Sequence, residues 1–171
     1  LDLKTGKLLH ETDLPQDISG GNLAASYGGL VLVTHKGAIS FLDWQTACSR
    51  LLDQAEREKD NPHPLLTLGQ AALRLRKETD AIGFLDRAIE RPLDDQQRIM
   101  AYYLYEYAYR SNRGNDRDDY LLSLLDRMQK TSGPTNTVAR HGLLRAEYFA
   151  ARDPRQALAA LQSVLDVDRS R

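Results

Sequence analysis

His10, His35, His63, His141 and the lone Cys48 are the side chains in this chain best suited to ligate a transition metal or attack a substrate. A zinc or nucleophilic centre needs such residues in sets, as two His at i, i+4 on a helix or a Cys with a His and an Asp. No two histidines have that spacing and none neighbours the cysteine, so no metal site is expected. Cys48 falls on the apolar side of a helical stretch and reads as a buried structural thiol. The run NDRDD, Asn115–Asp119, has the acids of a calcium loop. It lacks the glycine at loop position six and the bidentate Glu at position twelve. Acids there are expected instead to cap a helix and face its dipole. There is no phosphate-binding glycine loop, no Gly-x-Ser-x-Gly and no dinucleotide fingerprint. The residues point to a non-enzymatic chain without a cofactor.

Binding is the other chemistry on offer, and it concentrates in AYYLYEYAYR, residues 101–110. On a helix Tyr102, Tyr105 and Tyr109 share one face and Tyr103 and Tyr107 another, with Ala101, Leu104 and Ala108 as a narrow stripe between. Two uses fit. The rings can fill the space between neighbouring helices with their hydroxyls at the rim. Alternatively Tyr102 and Tyr109, with Glu106 and Arg110, line a partner-binding groove, since Tyr and Arg give large contact area and hydrogen bonds at low entropic cost.

These residues need a scaffold, and composition bounds it. The 171 residues suffice for one good core, or a small element plus an elongated one. With 23 basic and 24 acidic residues and a net charge of -1, neither nucleic acid nor an anionic membrane is an expected partner. No apolar run approaches the ~20 residues that span a bilayer, so no membrane insertion is expected.

Two textures follow one another along the chain. Residues 1–46 are glycine-rich, with β-prone runs cut at Gly28-Gly29 and Lys36-Gly37, and strands are expected near 7–12, 22–27, 30–35 and 38–43. From Ala47 the period becomes helical. Cys48, Leu51, Leu52 and Ala55 form a stripe, giving a connecting helix within 47–61. Residues 62–171 then divide into three helix pairs, at about 62–93, 94–130 and 135–168. Asn61-Pro62 marks the start of the first, Gly133-Pro134 separates the second from the third, and Asp153-Pro154 starts the last helix.

The first pair, LLTLGQAALRLRKETDAIGFLDRAI, places Gly69, Ala72, Ala81 and Ala88 where two backbones approach. Leu65, Leu68, Leu75, Ile82 and Leu85 fill the seam between them. Leu65, Leu68, Gly69, Ala72, Ala81, Leu85 and Ala88 stand in the positions of a tetratricopeptide (TPR) repeat, which the chain resembles. Leu93 takes the slot of the usual Pro, with Pro92 beside it. Further positions in the same register are Leu104, Ala108, Leu121, Leu125 and Met128 in the second pair, and Leu144, Tyr148, Ala157, Leu161 and Val164 in the third. The resemblance implies an α-solenoid of about seven helices, counting the half-repeat at 47–61. It also implies that first helices line a concave groove for a protein or peptide partner, adding Leu66, Gln70, Leu73, Arg74 and Phe149 to the tyrosine set. The TPR subtype that clamps a terminal carboxylate has Lys and Asn where this chain has Leu66 and Gln70, so that clamp is absent.

LDLKTG at Leu1–Gly6 recurs as LDWQTA at Leu42–Ala47. The Asp-x-x-Thr-Gly echo resembles one blade of a PQQ-like (quinoprotein-type) β-propeller, with His10 in place of the docking Trp. The expected fold is therefore α+β, a short antiparallel propeller-blade-like segment followed by the TPR-like solenoid. The expected function is a protein-interaction or scaffold module of a larger propeller-containing protein. The alternative is the tail of a PQQ-dependent oxidoreductase whose active site lies in upstream blades. By the same resemblance, the expected location is the cell envelope.

Overall fold

The computed structural model describes residues 22–26, 29–34, 37–113, 118–133 and 135–169. It forms two compact units, Leu1–Cys48 and Ser49–Arg171.

In the first unit three strands, β1 (Asn22–Ser26), β2 (Gly29–Thr34) and β3 (Gly37–Leu42), make an antiparallel meander in the order β1-β2-β3. Register is set by pairs such as Ala24 with Val31 and Val31 with Ser40. Leu32 is buried while its neighbour Val33 is exposed, the alternation of a sheet with one covered face. Gly37 has φ +143°, a conformation that disfavours any side chain. Thr34 Oγ1 donates to Gly37 O at 3.1 Å across the hairpin end. The strand expected at 7–12 lies outside the described residues.

Among the described residues seven helices follow. α1 (Trp44–Arg57) begins about a turn before the expected Ala47, because Asp43 accepts from Thr46 N at 3.0 Å and from its hydroxyl at 2.7 Å. α2 (His63–Arg74) and α3 (Glu78–Ile89) are joined by a turn in which Arg76 has φ 57°. α4 (Asp95–Asn112) starts on a capping box, with Asp94 accepting from Gln97 N at 2.8 Å and Gln97 Oε1 accepting from Asp94 N at 3.0 Å. α5 (Asp118–Thr131) has Asp118 and Asp119 in its first turn. α6 (Thr135–Phe149) precedes α7 (Pro154–Arg169), whose start Asp153 caps through Arg155 N and Gln156 N.

The helices of the second unit pack in sequential pairs, α2 on α3, α4 on α5 and α6 on α7, with further packing of α2 on α4 and α5 on α6. Close approach inside a pair is set by glycine. A Cβ on Gly69 would stand 2.6 Å from Leu85 Cδ2, and one on Gly142 would overlap Val164 and reach the Ala160 carbonyl. Leu65, Leu68, Ala72, Ala81, Leu85 and Ala88 are all fully buried around the first contact. Two expected seam residues are not in the seam. Leu75 is the C-cap of α2 and is 53% exposed, since it lies in the turn past the last helical residue. Leu161 is 42% exposed, because Ala157, Ala160 and Val164 form the stripe that α7 turns to α6.

Between pairs, four polar side-chain bonds share one separation. Asn112 Nδ2 donates to Glu78, Arg140 to Glu106, Arg113 to Glu147 and Arg152 to Asp118, each across 34 residues. Such a ladder requires consecutive helix pairs to present equivalent positions to one another. At the other end Arg91, just past α3, donates to the carbonyls of Ala55, Glu58 and Asn61 at 3.1, 3.1 and 2.8 Å. It thereby satisfies acceptors that the end of α1 leaves unpaired.

Candidate functional site

α4 carries aromatic residues all round, and packing decides which face is spent on the core. Tyr102, Tyr105 and Tyr109 are at most 1% exposed, whereas Tyr103 and Tyr107 are 43% and 55% exposed. The buried face meets its neighbours through a few polar contacts. Tyr105 Oη donates to Asp86 at 2.9 Å, and the same carboxylate receives both Arg127 Nε at 2.7 Å and Nη2 at 2.9 Å. Burial works to raise the Asp86 pKa, but the Arg127 and Tyr105 hydrogen bonds outweigh it and hold the carboxyl below its usual value. Tyr102 Oη has no hydrogen-bond partner among the described residues. Burial first, and then the Glu106 charge, push that phenol well above its ordinary pKa.

Glu106 is 3% exposed and its carboxylate is fully engaged. Arg110 Nε and Arg140 Nη2 donate to Oε1 at 2.6 and 2.7 Å, and Arg140 Nε donates to Oε2 at 2.6 Å. Burial favours the neutral acid, yet the hydrogen bonds from Arg140 and Arg110 prevail and the pKa is lowered. The Arg140 guanidinium also lies 5.6 Å from the Tyr103 ring centroid, a cation–π distance.

The exposed face of α4 meets α2 in a groove of about 420 Å³ lined by Gln70, Leu73, Arg74, Met100, Tyr103, Leu104 and Tyr107. A recess of about 280 Å³, lined by Leu73, Arg76, Glu78, Tyr107 and Ser111, shares Leu73 and Tyr107 with it. This space is of the order that takes one or two side chains of a ligand. Its floor is aliphatic, its walls are the two tyrosines, and its polar groups are Gln70 and arginines.

Of the residues expected to meet a partner, the structure brings Gln70 and Arg74 to this groove, with Leu73. Arg110 is half-exposed and tied to Glu106. The other five are corrections. Leu66, Tyr102 and Tyr109 are buried in the helix contacts and offer no surface to a ligand. Glu106 spends both oxygens on arginines. Phe149 is 7% exposed, edge-on to Tyr148 at 4.9 Å and covered by Arg145 at 5.6 Å. The wall residues Tyr103 and Tyr107 belong to the face that sequence periodicity separates but does not orient.

The remaining candidates are structural in their contacts. His141 is buried and donates from Nε2 to the Leu125 carbonyl at 2.9 Å. Burial lowers its pKa, so the ring is neutral in the fold near pH 7. Beside it a recess of about 440 Å³ is lined by Gln129, Arg145, Gln156 and small residues. His63 is exposed, and Cys48 is half-buried rather than buried. Asp118 bonds Arg152. Among the described residues no group of three or more His, Cys, Asp or Glu could hold a metal ion. No described helix is long and apolar enough to cross a membrane. His10, His35 and Asn115 lie outside the described residues.

No protein-family model, curated protein or solved structure matches the chain.

Proposed function

We propose that the helical unit is a non-enzymatic protein-interaction module of the tetratricopeptide type, which takes a segment of a partner protein in the groove between α2 and α4. The 34-residue ladder of side-chain bonds, the sequential pairing and the glycine contact at Gly69 support the repeat reading. The observation that carries the function is the pair of exposed tyrosines, Tyr103 and Tyr107, over an aliphatic floor between two neighbouring first helices. Large exposed rings next to an apolar recess lose water favourably only when something covers them. The three-stranded meander is read as part of a propeller-type repeat belonging to a larger, envelope-located protein, for which the module is a docking arm.

The test is panning of a displayed peptide library on the purified protein. Peptides retained by the wild type should be lost on Tyr107→Ala and weakened by Arg74→Ala. They should be kept by Arg155→Ala, an exposed position on α7. An empty panning, or retention indifferent to Tyr107, contradicts the proposal.

A further inference from the structure

The polar groups at the groove are unequal in a way that selects a ligand. Seven described arginines of the helical unit are committed: Arg87, Arg110, Arg113, Arg127, Arg140, Arg145 and Arg152 all hold carboxylates. Arg74 and Arg76, at the groove and its adjoining recess, are not. Both are exposed, and neither side chain makes a hydrogen bond or ion pair among the described residues. Gln70 is uncommitted in the same sense. The acid that lines the recess, Glu78, accepts from Asn112 at 2.9 Å. α2 contributes no acidic residue at all. In α4 the acids are Asp95, in its first turn, and Glu106, which is buried and shared by Arg110 and Arg140; neither lines the groove. Around the groove and its recess the charged groups are thus Arg74 and Arg76 against one carboxylate, Glu78, whose Oε2 is bonded to Asn112, on a chain whose net charge is -1.

We propose that the groove selects an extended acidic segment of a partner protein, with one aliphatic or aromatic side chain set on Leu73, Met100 and Leu104 and flanking carboxylates on Arg74 and Arg76. This deepens the interaction-module reading and rests on it. An apolar anchor between two rings supplies the contact area, and the unpaired guanidinium groups supply bidentate N–H donors for carboxylates. Nucleic acid is disfavoured because the floor is aliphatic and the basic groups are few and local rather than a continuous stripe. The recognition differs from capture of a chain terminus: Leu66 is buried and Gln70 carries no charge, so the groove reads carboxylates along a segment.

Three short fluorescein-labelled peptides test this by anisotropy on the full chain: one of Asp and Glu around a single Phe, its twin with Lys for the acids, and its twin with Ala for Phe. The acidic Phe peptide should bind, and both twins should bind at least roughly tenfold more weakly. Arg74→Glu and Arg76→Glu should each weaken the acidic peptide by a similar factor, and Arg155→Glu should not. Added salt should weaken it progressively. Equal binding of the lysine twin, indifference to both charge reversals in proteins with wild-type melting, or a single-stranded oligonucleotide that displaces the peptide would overturn the inference. Absence of binding by all three peptides would do so too. If panning instead returns neutral or basic peptides that depend on Tyr107, the acidic selection is wrong and the interaction module stands. If panning returns nothing, both fall.

Discussion

Tyr102 and Tyr105, both fully buried on α4, differ in one hydrogen bond. Tyr105 donates to Asp86, while Tyr102 Oη has no partner among the described residues. A buried hydroxyl without a partner costs about 1–3 kcal/mol of desolvation, whereas a satisfied one returns part of that cost. Tyr102→Phe should therefore leave stability unchanged or raise it by about 1 kcal/mol. Tyr105→Phe should lower it by about 1 kcal/mol, a modest value because Asp86 is itself partly exposed. Urea melts of the two variants check this, and a loss for Tyr102→Phe as large as that for Tyr105→Phe would count against the assignment. The sequence divides the five tyrosines correctly into two faces, since the helical period alone does that. It does not say which face is inside, because both are aromatic and α4 has no polar face to settle the choice. The contacts of Glu106 and Phe149 were illegible for a related reason. Arg140 reaches Glu106 from another helix, while Arg145 stands four residues before Phe149 on α6, a helical spacing that shows the two meet but not that the ring is covered from both sides.

At the scale of elements, the helix pairs are held close by glycine where a neighbour leaves no room and merely tolerate it where space is open. Gly69→Ala would drive a methyl into Leu85, which is fully buried and cannot turn away. Overpacking of about 1–3 kcal/mol should outweigh a helix-propensity gain of about 1 kcal/mol. Gly83, in exposed mid-α3, has nothing within 4 Å of the added carbon, so Gly83→Ala should stabilise by about 0.5–1 kcal/mol. Opposite shifts in melting temperature are expected, and a stabilising Gly69→Ala would mean the α2–α3 contact is looser than described. This contact is readable from Leu68-Gly69 and Ala81 because small residues at helical spacing have a single packing use. The start of α1 is not, since Asp43 closes the β-prone run 38–43 in the sequence and its capping of Thr46 shows only in the fold. In the third pair the sequence places Ala157 and Val164 in register, but with Leu161 in place of Ala160, and the close approach at Gly142 is not marked by it.

For the whole molecule, ion pairs such as Arg140–Glu106 and Arg127–Asp86 join one helix pair to the next, and their strength depends on pH. Glu106 and Asp86 have pKa values held below the ordinary 4.5 and 3.8 by their arginines. In both cases burial opposes the shift. The unfolded chain takes up these protons at higher pH than the folded one, so their stabilisation is complete above about pH 4.5 and is lost as pH falls through the folded pKa. His141, among Leu125, Arg145 and Asp126, has its pKa lowered from 6.5. The unfolded chain then binds a proton below about pH 6.5 that the fold refuses, and stability declines from that point down. Melting temperature should fall in two stages, gently from about pH 6.5 and steeply below about 4.5. His141→Gln, which keeps a donor for the Leu125 carbonyl, should flatten the first stage alone. A melting temperature constant from pH 7 to pH 4 would contradict the account. None of this was visible in the sequence, where Glu106 and Arg140 are simply two charges on two helices. The 34-residue separation that four of the bonds between pairs share shows only once the pairs are stacked.

The central claim is that α4 divides its tyrosines, one face for the fold and one for a partner. The measurement that tests it most directly compares Tyr107→Ala with Tyr109→Ala, each scored for melting temperature and for retention of the peptides that the wild type selects. Tyr107→Ala should lose the peptides and melt like the wild type. Tyr109→Ala should lose about 3–5 kcal/mol of stability. If Tyr109→Ala melts normally and loses the peptides while Tyr107→Ala keeps them, the faces have been assigned the wrong way round.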